Sequence, residues 1–123
     1  MKSLVLIFVG GGLGSVTRFL LGKWINYYHF STFPFATLII NVIACLILGC
    51  VVGLADRGNL ISSNARLFWT VGFCGGFSTF STFSNETLTL IQTGFTISAI
   101  GYSCLSVVLC LAATFIGLAL SHF

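Results

Sequence analysis

From Thr96 to Leu120 the chain carries no charged residue, only apolar side chains interrupted by small residues and one tyrosine. A helix rising about 1.5 Å per residue needs about 20 such residues to cross a hydrocarbon layer of ~30 Å. This run is long enough, and it is not alone. Phe33 to Ala55 is a second, with Asn41 as its one strongly polar member. Lys2 onward gives a third, interrupted late by Arg18, and the stretch from Arg66 to Gly94 a fourth. Polar segments at 22–32, 56–65 and 92–94 separate them. The expectation is an all-α membrane protein, one transmembrane domain over residues 1–123. Its four helices fall near 3–28, 33–55, 66–94 and 96–121. The first is read as a retained helix rather than a cleaved leader, because no soluble cargo follows it.

Composition then excludes the other classes. Charged residues are 6% of the chain, against roughly a quarter in an ordinary globular protein, and hydrophobic ones are 57%. Disorder requires charge and few apolar groups, and a nucleic-acid partner requires a basic patch. A net charge of +3 carried by so few side chains is not one. The five cysteines sit in apolar segments without CxxC spacing, which reads as small hydrophobes rather than a metal or redox centre.

With four spans, Lys2, Arg57 and Arg66 lie on one side of the membrane and Arg18 and Lys23 towards the other. The positive-inside rule has almost no bias to act on. A chain balanced in this way can insert in both orientations, which suggests dual topology and an antiparallel homodimer. Four helices enclose little interior, so association also supplies the room that a pathway needs.

Three stripes recur at four-residue spacing, which is one helix face. They are Gly10, Gly14, Arg18 and Gly22; Thr37, Asn41, Cys45, Gly49 and Gly53; and Ser98, Tyr102, Ser106, Cys110 and Thr114. Close helix packing in lipid accounts for most of their members. Asn41 and Tyr102 are bulky and polar at mid-span, so they require partners, water or an ion.

The third segment is too long for one straight span. Gly75-Gly76 is poor helix, and the hydroxyl residues after it compete for backbone hydrogen bonds, so a break is expected near 74–79. Freed carbonyls at such a break suit a cation. The repeat Phe77-Ser-Thr-Phe80-Ser-Thr-Phe83 follows. Its rings either pack against a neighbouring chain or turn their positive edges towards a small anion. Glu86 is the one acid near a membrane segment and a functional candidate on that ground, unless it faces an aqueous vestibule. Arg18 either snorkels, pairs with Glu86, or supplies positive potential.

At these residues the sequence resembles the CrcB/Fluc family of fluoride channels. The likeness rests on Gly10-Gly11, Gly14, Arg18 and Phe19 in the first helix, and Pro34, Thr37, Asn41 and Gly49 in the second. The third carries Gly72-Phe-Cys-Gly-Gly-Phe-Ser-Thr-Phe-Ser-Thr-Phe83 followed by Glu86. The resemblance implies a passive fluoride-selective channel of the bacterial inner membrane, built as an antiparallel dual-topology homodimer that confers fluoride resistance. It implies two pores beside a central sodium ion held by the backbone carbonyls of Gly75 and Ser78 from both subunits. It further implies a ring-edge box of Phe80 and Phe83, donors oriented by Asn41, a polar track of Thr82, Tyr102 and Ser106, and a vestibule at Arg18 and Glu86. The sequence departs from the family pattern at Phe19, Ala36, Ala44, Ser78 and Cys110. The competing class is a small multidrug-resistance-type proton-coupled exporter, which requires an acid in the first helix. This first helix has none.

Overall fold

The computed structural model describes residues 1–57 and 60–121. Every element among them is helical: α1 (Lys2–Tyr28), α2 (Phe35–Asp56), α3 (Ser63–Leu67), a π-helical stretch (Phe68–Cys74), α4 (Gly75–Phe77), α5 (Phe80–Gln92) and α6 (Thr96–Leu120). Elements α3 to α5 with the π-helical stretch make up the third of four segments, so the helix count fits the sequence reading. Helices α1, α2 and α6 are each long and apolar enough to cross a membrane. The third segment is divided into pieces too short to qualify by themselves.

The ends of these helices follow local chemistry. Pro34 stands immediately before α2, where its missing N–H costs nothing. Ser62 caps α3 by accepting from the Ala65 amide at 3.2 Å, which starts the third segment at Ser63, earlier than Arg66. Gly94 adopts a left-handed φ of 87° in the tight turn between α5 and α6, a conformation that glycine enters without penalty. At the end of α2, the Arg57 guanidinium donates to the Ser121 carbonyl at 2.8 Å. A cation there suits the negative end of α6.

Glycines hold the segments together. A Cβ on Gly10 or Gly14 would strike the backbone of Phe68, Phe73 or Phe77, and one on Gly76 would strike Gly11. Thus α1 lies against the third segment with backbone nearly touching backbone. The α2–α6 pair is built the same way. Gly49 meets Thr114, Gly53 meets Leu118 and Ser121, and Gly117 meets Leu46 and Cys50. In both pairs residue numbers rise together along the contact, so α1 runs parallel to the third segment and α2 runs parallel to α6. In lipid there is no hydrophobic drive between helices, and close van der Waals approach takes its place.

The core is correspondingly small. Ile40, Ala44 and Phe77 form one buried cluster, with Leu21, Ile43 and Phe73 against it. Leu38, Leu90, Ala99 and Tyr102 form another, flanked by Phe33, Val42 and Phe83. Large apolar side chains such as Phe8, Ile97, Leu111 and Phe115 point outward instead. That inverted arrangement is what a hydrocarbon solvent selects.

Candidate functional site

Helix α4 stops at Phe77, and α5 begins at Phe80. Between them Ser78 has ψ 157°, and Thr79 has φ −152° and ψ 114°, both extended. Extended residues inside a helical segment leave main-chain groups to be satisfied elsewhere. Asn41 on α2 does this for Thr79. Its Oδ1 accepts from the Thr79 amide at 2.9 Å, and its Nδ2 donates to the Thr79 carbonyl at 3.3 Å. The Thr79 hydroxyl in turn caps α5, accepting from the Thr82 amide at 3.3 Å and donating to the Thr82 hydroxyl at 3.0 Å. Because the Thr79 N–H is turned towards Asn41, the Gly75 carbonyl loses its i+4 donor. The Ser78 carbonyl lies outside α5 and gains no helical donor either. Gly75 itself is exposed, with nothing within 4 Å of where a Cβ would stand.

Two cavities flank this junction. One, of about 250 Å³, is lined by Asn41, Cys45, Ser78, Thr79, Phe80, Phe83, Ser106 and Cys110 together with Val107. Its aromatic wall is the Phe80–Phe83 pair, with centroids 5.5 Å apart and planes at 39°. Phe80 is 78% exposed, so that wall stands open on one side. Ser106 is buried, and its hydroxyl has no hydrogen-bond partner. A buried hydroxyl without a partner marks a place for water or a ligand.

The second cavity, of about 330 Å³, gathers Arg18, Lys23, Asn26, Thr37, Thr79, Thr82 and Glu86. Arg18 is half-buried and its Nε is also unpartnered. Glu86 does not pair with it. The one ion pair among the described residues joins Arg66 to Asp56 at 3.9 Å, and it is too exposed to contribute much. Glu86 instead accepts from the Thr37 hydroxyl at 2.7 Å and from the Tyr102 hydroxyl at 2.8 Å. Tyr102 is wholly buried, and its ring meets Phe83 at 5.0 Å and Phe33 at 5.5 Å. It thereby ties the acid on α5 to the aromatic wall.

The structure therefore gathers Asn41, Ser78, Phe80, Phe83 and Ser106 around one cavity and Arg18, Thr82 and Glu86 around the other. Tyr102 links the two groups from behind, and Gly75 borders neither. Two residues to which the sequence reading gave no role in the site are central. Thr79 lines both cavities and is the residue Asn41 clamps, and Thr37 holds Glu86. Thr37 had a usable signal, since it stands four residues before Asn41 on the same face. Thr79 had only its place in a repeat whose other hydroxyls look equivalent.

Comparison with known proteins places this arrangement. The sequence model described as CrcB-like protein, Camphor Resistance (CrcB), matches residues 5–118. A fluoride-specific ion channel FluC of Flavobacterium psychrophilum is 44% identical over 118 residues, covering 96% of this chain and 95% of that protein. Proteins of the same name match from Phocaeicola vulgatus, 44% identical over 122 residues (99% and 100% covered), and from Azobacteroides pseudotrichonymphae, 37% identical over 123 residues (100% and 98%). With a match that begins in α1, ends within α6 and takes in both cavities, this chain belongs to the CrcB family.

Proposed function

We propose that the protein is a passive, fluoride-selective channel of the bacterial inner membrane, with ions passing between the two cavities beside the Asn41–Thr79 clamp. Membership in a family whose relatives carry the name of fluoride channels supports this reading, and it disfavours the proton-coupled exporter. The observation that carries it is the unpartnered Ser106 hydroxyl in a cavity walled by Phe80 and Phe83. Fluoride is small and strongly hydrated, and removing its water requires donors in return. Ser106 and Thr82 supply hydroxyls, Arg18 and Lys23 supply positive potential at the wider cavity, and the ring edges supply a weaker positive surface. No covalent chemistry is involved, and the protein is not an enzyme.

The same reading takes the assembly to be an antiparallel homodimer of dual topology. The open face at Phe80 and the exposed Gly75 are what a second copy would cover, and the near-balance of basic residues permits both orientations. It also places a break of the third helix at membrane depth, buried by the second subunit. The residues fit a sodium ion on that axis. The carbonyls of Gly75 and Ser78, both without helical donors, would hold it as hard oxygen ligands, and the ion would lend structural charge where two broken helices meet.

The test is ion release from potassium-loaded liposomes, with valinomycin clearing the charge. Fluoride is expected to leave and chloride to stay. Fluoride retained as in protein-free liposomes refutes the channel. Phe80→Ile and Phe83→Ile should each slow release while the oligomer measured by gel filtration persists. Undiminished release would remove the ring edges from the mechanism.

A further inference from the structure

The cavity walled by Phe80 and Phe83 ends in two thiols. Cys45 stands one turn beyond Asn41 on α2, and Cys110 one turn beyond Ser106 on α6. Both line the cavity, and the two side chains lie beside each other across the α2–α6 contact. Both are free cysteines and half-buried. They meet there because the two parallel helices keep step. Thr37 and Tyr102 share Glu86, Asn41 and Ser106 share the cavity, Gly49 touches Thr114, and Cys45 with Cys110 is the pair between. The Ser106 hydroxyl, buried and unpartnered in the same cavity, shows that this space is built to hold something polar.

We propose that Cys45 and Cys110 form a two-coordinate site for a soft d¹⁰ metal cation such as Hg(II), Ag(I) or Cu(I), whose occupancy closes the ion pathway. Three lines of chemistry support it. Thiolate sulfur is the ligand such cations prefer over oxygen and imidazole. Linear two-coordination requires two ligands only. Among the described residues no cluster of three or more His, Cys, Asp or Glu is placed to hold a metal, so ions that demand four ligands have no equivalent site here. Charge balance also favours Hg(II). Two S–H bonds break, two S–Hg bonds form and two protons leave to water, so the dication becomes a neutral bis-thiolate among apolar walls. Burying an uncompensated charge there would be costly, and this complex avoids it. The metal would occupy the wall beside Ser106, where an anion passing Phe80 and Phe83 must go. The closure rests on the channel reading above, whereas the binding does not.

The experiment uses the full-length protein in two assays. In liposomes, fluoride release is followed before mercuric chloride, after it, and after dithiothreitol. The intact protein should lose its release on adding the metal and recover it with the dithiol. Cys45→Ser and Cys110→Ser should each abolish the sensitivity, measured against each variant's own metal-free rate. Cys104→Ser, exposed on α6 and lining neither cavity, should retain it. In detergent, Hg(II) binding is read by its sulfur-to-metal absorption band and by mass spectrometry of alkylated thiols, with both Cys45 and Cys110 protected together. Block that survives in Cys45→Ser, or protection of only one of the two, overturns the proposal. A protein that never releases fluoride refutes the channel, and the binding assay then still decides the site.

Discussion

Asn41 commits its whole side chain to the main chain of a single residue. Acceptor and donor both face Thr79, so truncation strands the Thr79 N–H and takes a second donor from its carbonyl, which as the N-cap of α5 keeps its helical one. Asn41→Ala should therefore destabilise the protein by about 1–3 kcal/mol, the range for unsatisfied buried groups, and should stop fluoride release. A melting curve in detergent together with the liposome assay checks both effects. Glu86 makes a different test. Its two oxygens accept from two hydroxyls, and an amide offers only one acceptor oxygen. Glu86→Gln should leave the fold intact and slow release, because either Thr37 or Tyr102 loses its acceptor and the Tyr102 ring no longer steadies Phe83. Release unchanged from the parent would make the acid a bystander. At this scale the sequence was partly legible. A mid-span amide must find a partner, so Asn41 announced itself. Its partner lies 38 residues away and is defined only by backbone shape, which no spacing reveals.

The third segment illustrates the same limit for elements. Gly75 and Gly76 pointed to a break, yet both are helical, and the extended residues are Ser78 and Thr79. Gly76 answers instead to packing, since a Cβ there would strike Gly11. Sequence conveyed that something in this stretch was unusual, but close approach and chain reversal of hydrogen bonding use the same small residues. The packing yields a prediction of its own. Gly14→Ala would drive a methyl into the backbone of Phe73 and Phe77, which cannot move as a side chain does. A cost of about 1–3 kcal/mol is expected, as for overpacked cores. Gly12→Ala, with open space around it within the protomer, should be neutral or gain up to about 1 kcal/mol from helix propensity. Thermal unfolding of the two variants side by side measures the contrast.

For the whole molecule, the apolar runs alone were enough to give four helical segments, because a hydrocarbon solvent leaves the backbone so few options. How the segments pair was not legible, since every glycine stripe advertises the same willingness to approach. Orientation belongs to this scale as well. If both orientations are needed, lysines added to the 29–32 loop should fix one of them and abolish release, and lysines added near 60–62 should fix the other. Each biased form alone should be silent, and the two expressed together should conduct. Reporter tags at the C-terminus read the orientation directly. A biased form that conducts by itself would refute the antiparallel dimer.

The matched step of α2 and α6 also has a consequence for heredity. Each helical residue turns the chain by about 100°. One codon gained or lost between Thr37 and Cys45 would swing every later rung of α2 away from its opposite number. Glu86 would keep its hydroxyls while the thiol pair, the Gly49 crossing and the Arg57 bond to Ser121 were all lost at once. Point substitutions can be absorbed rung by rung, but changes of length cannot. Genes for this protein should therefore vary in length in the turns and at the ends, and hold α2 and α6 to a fixed count.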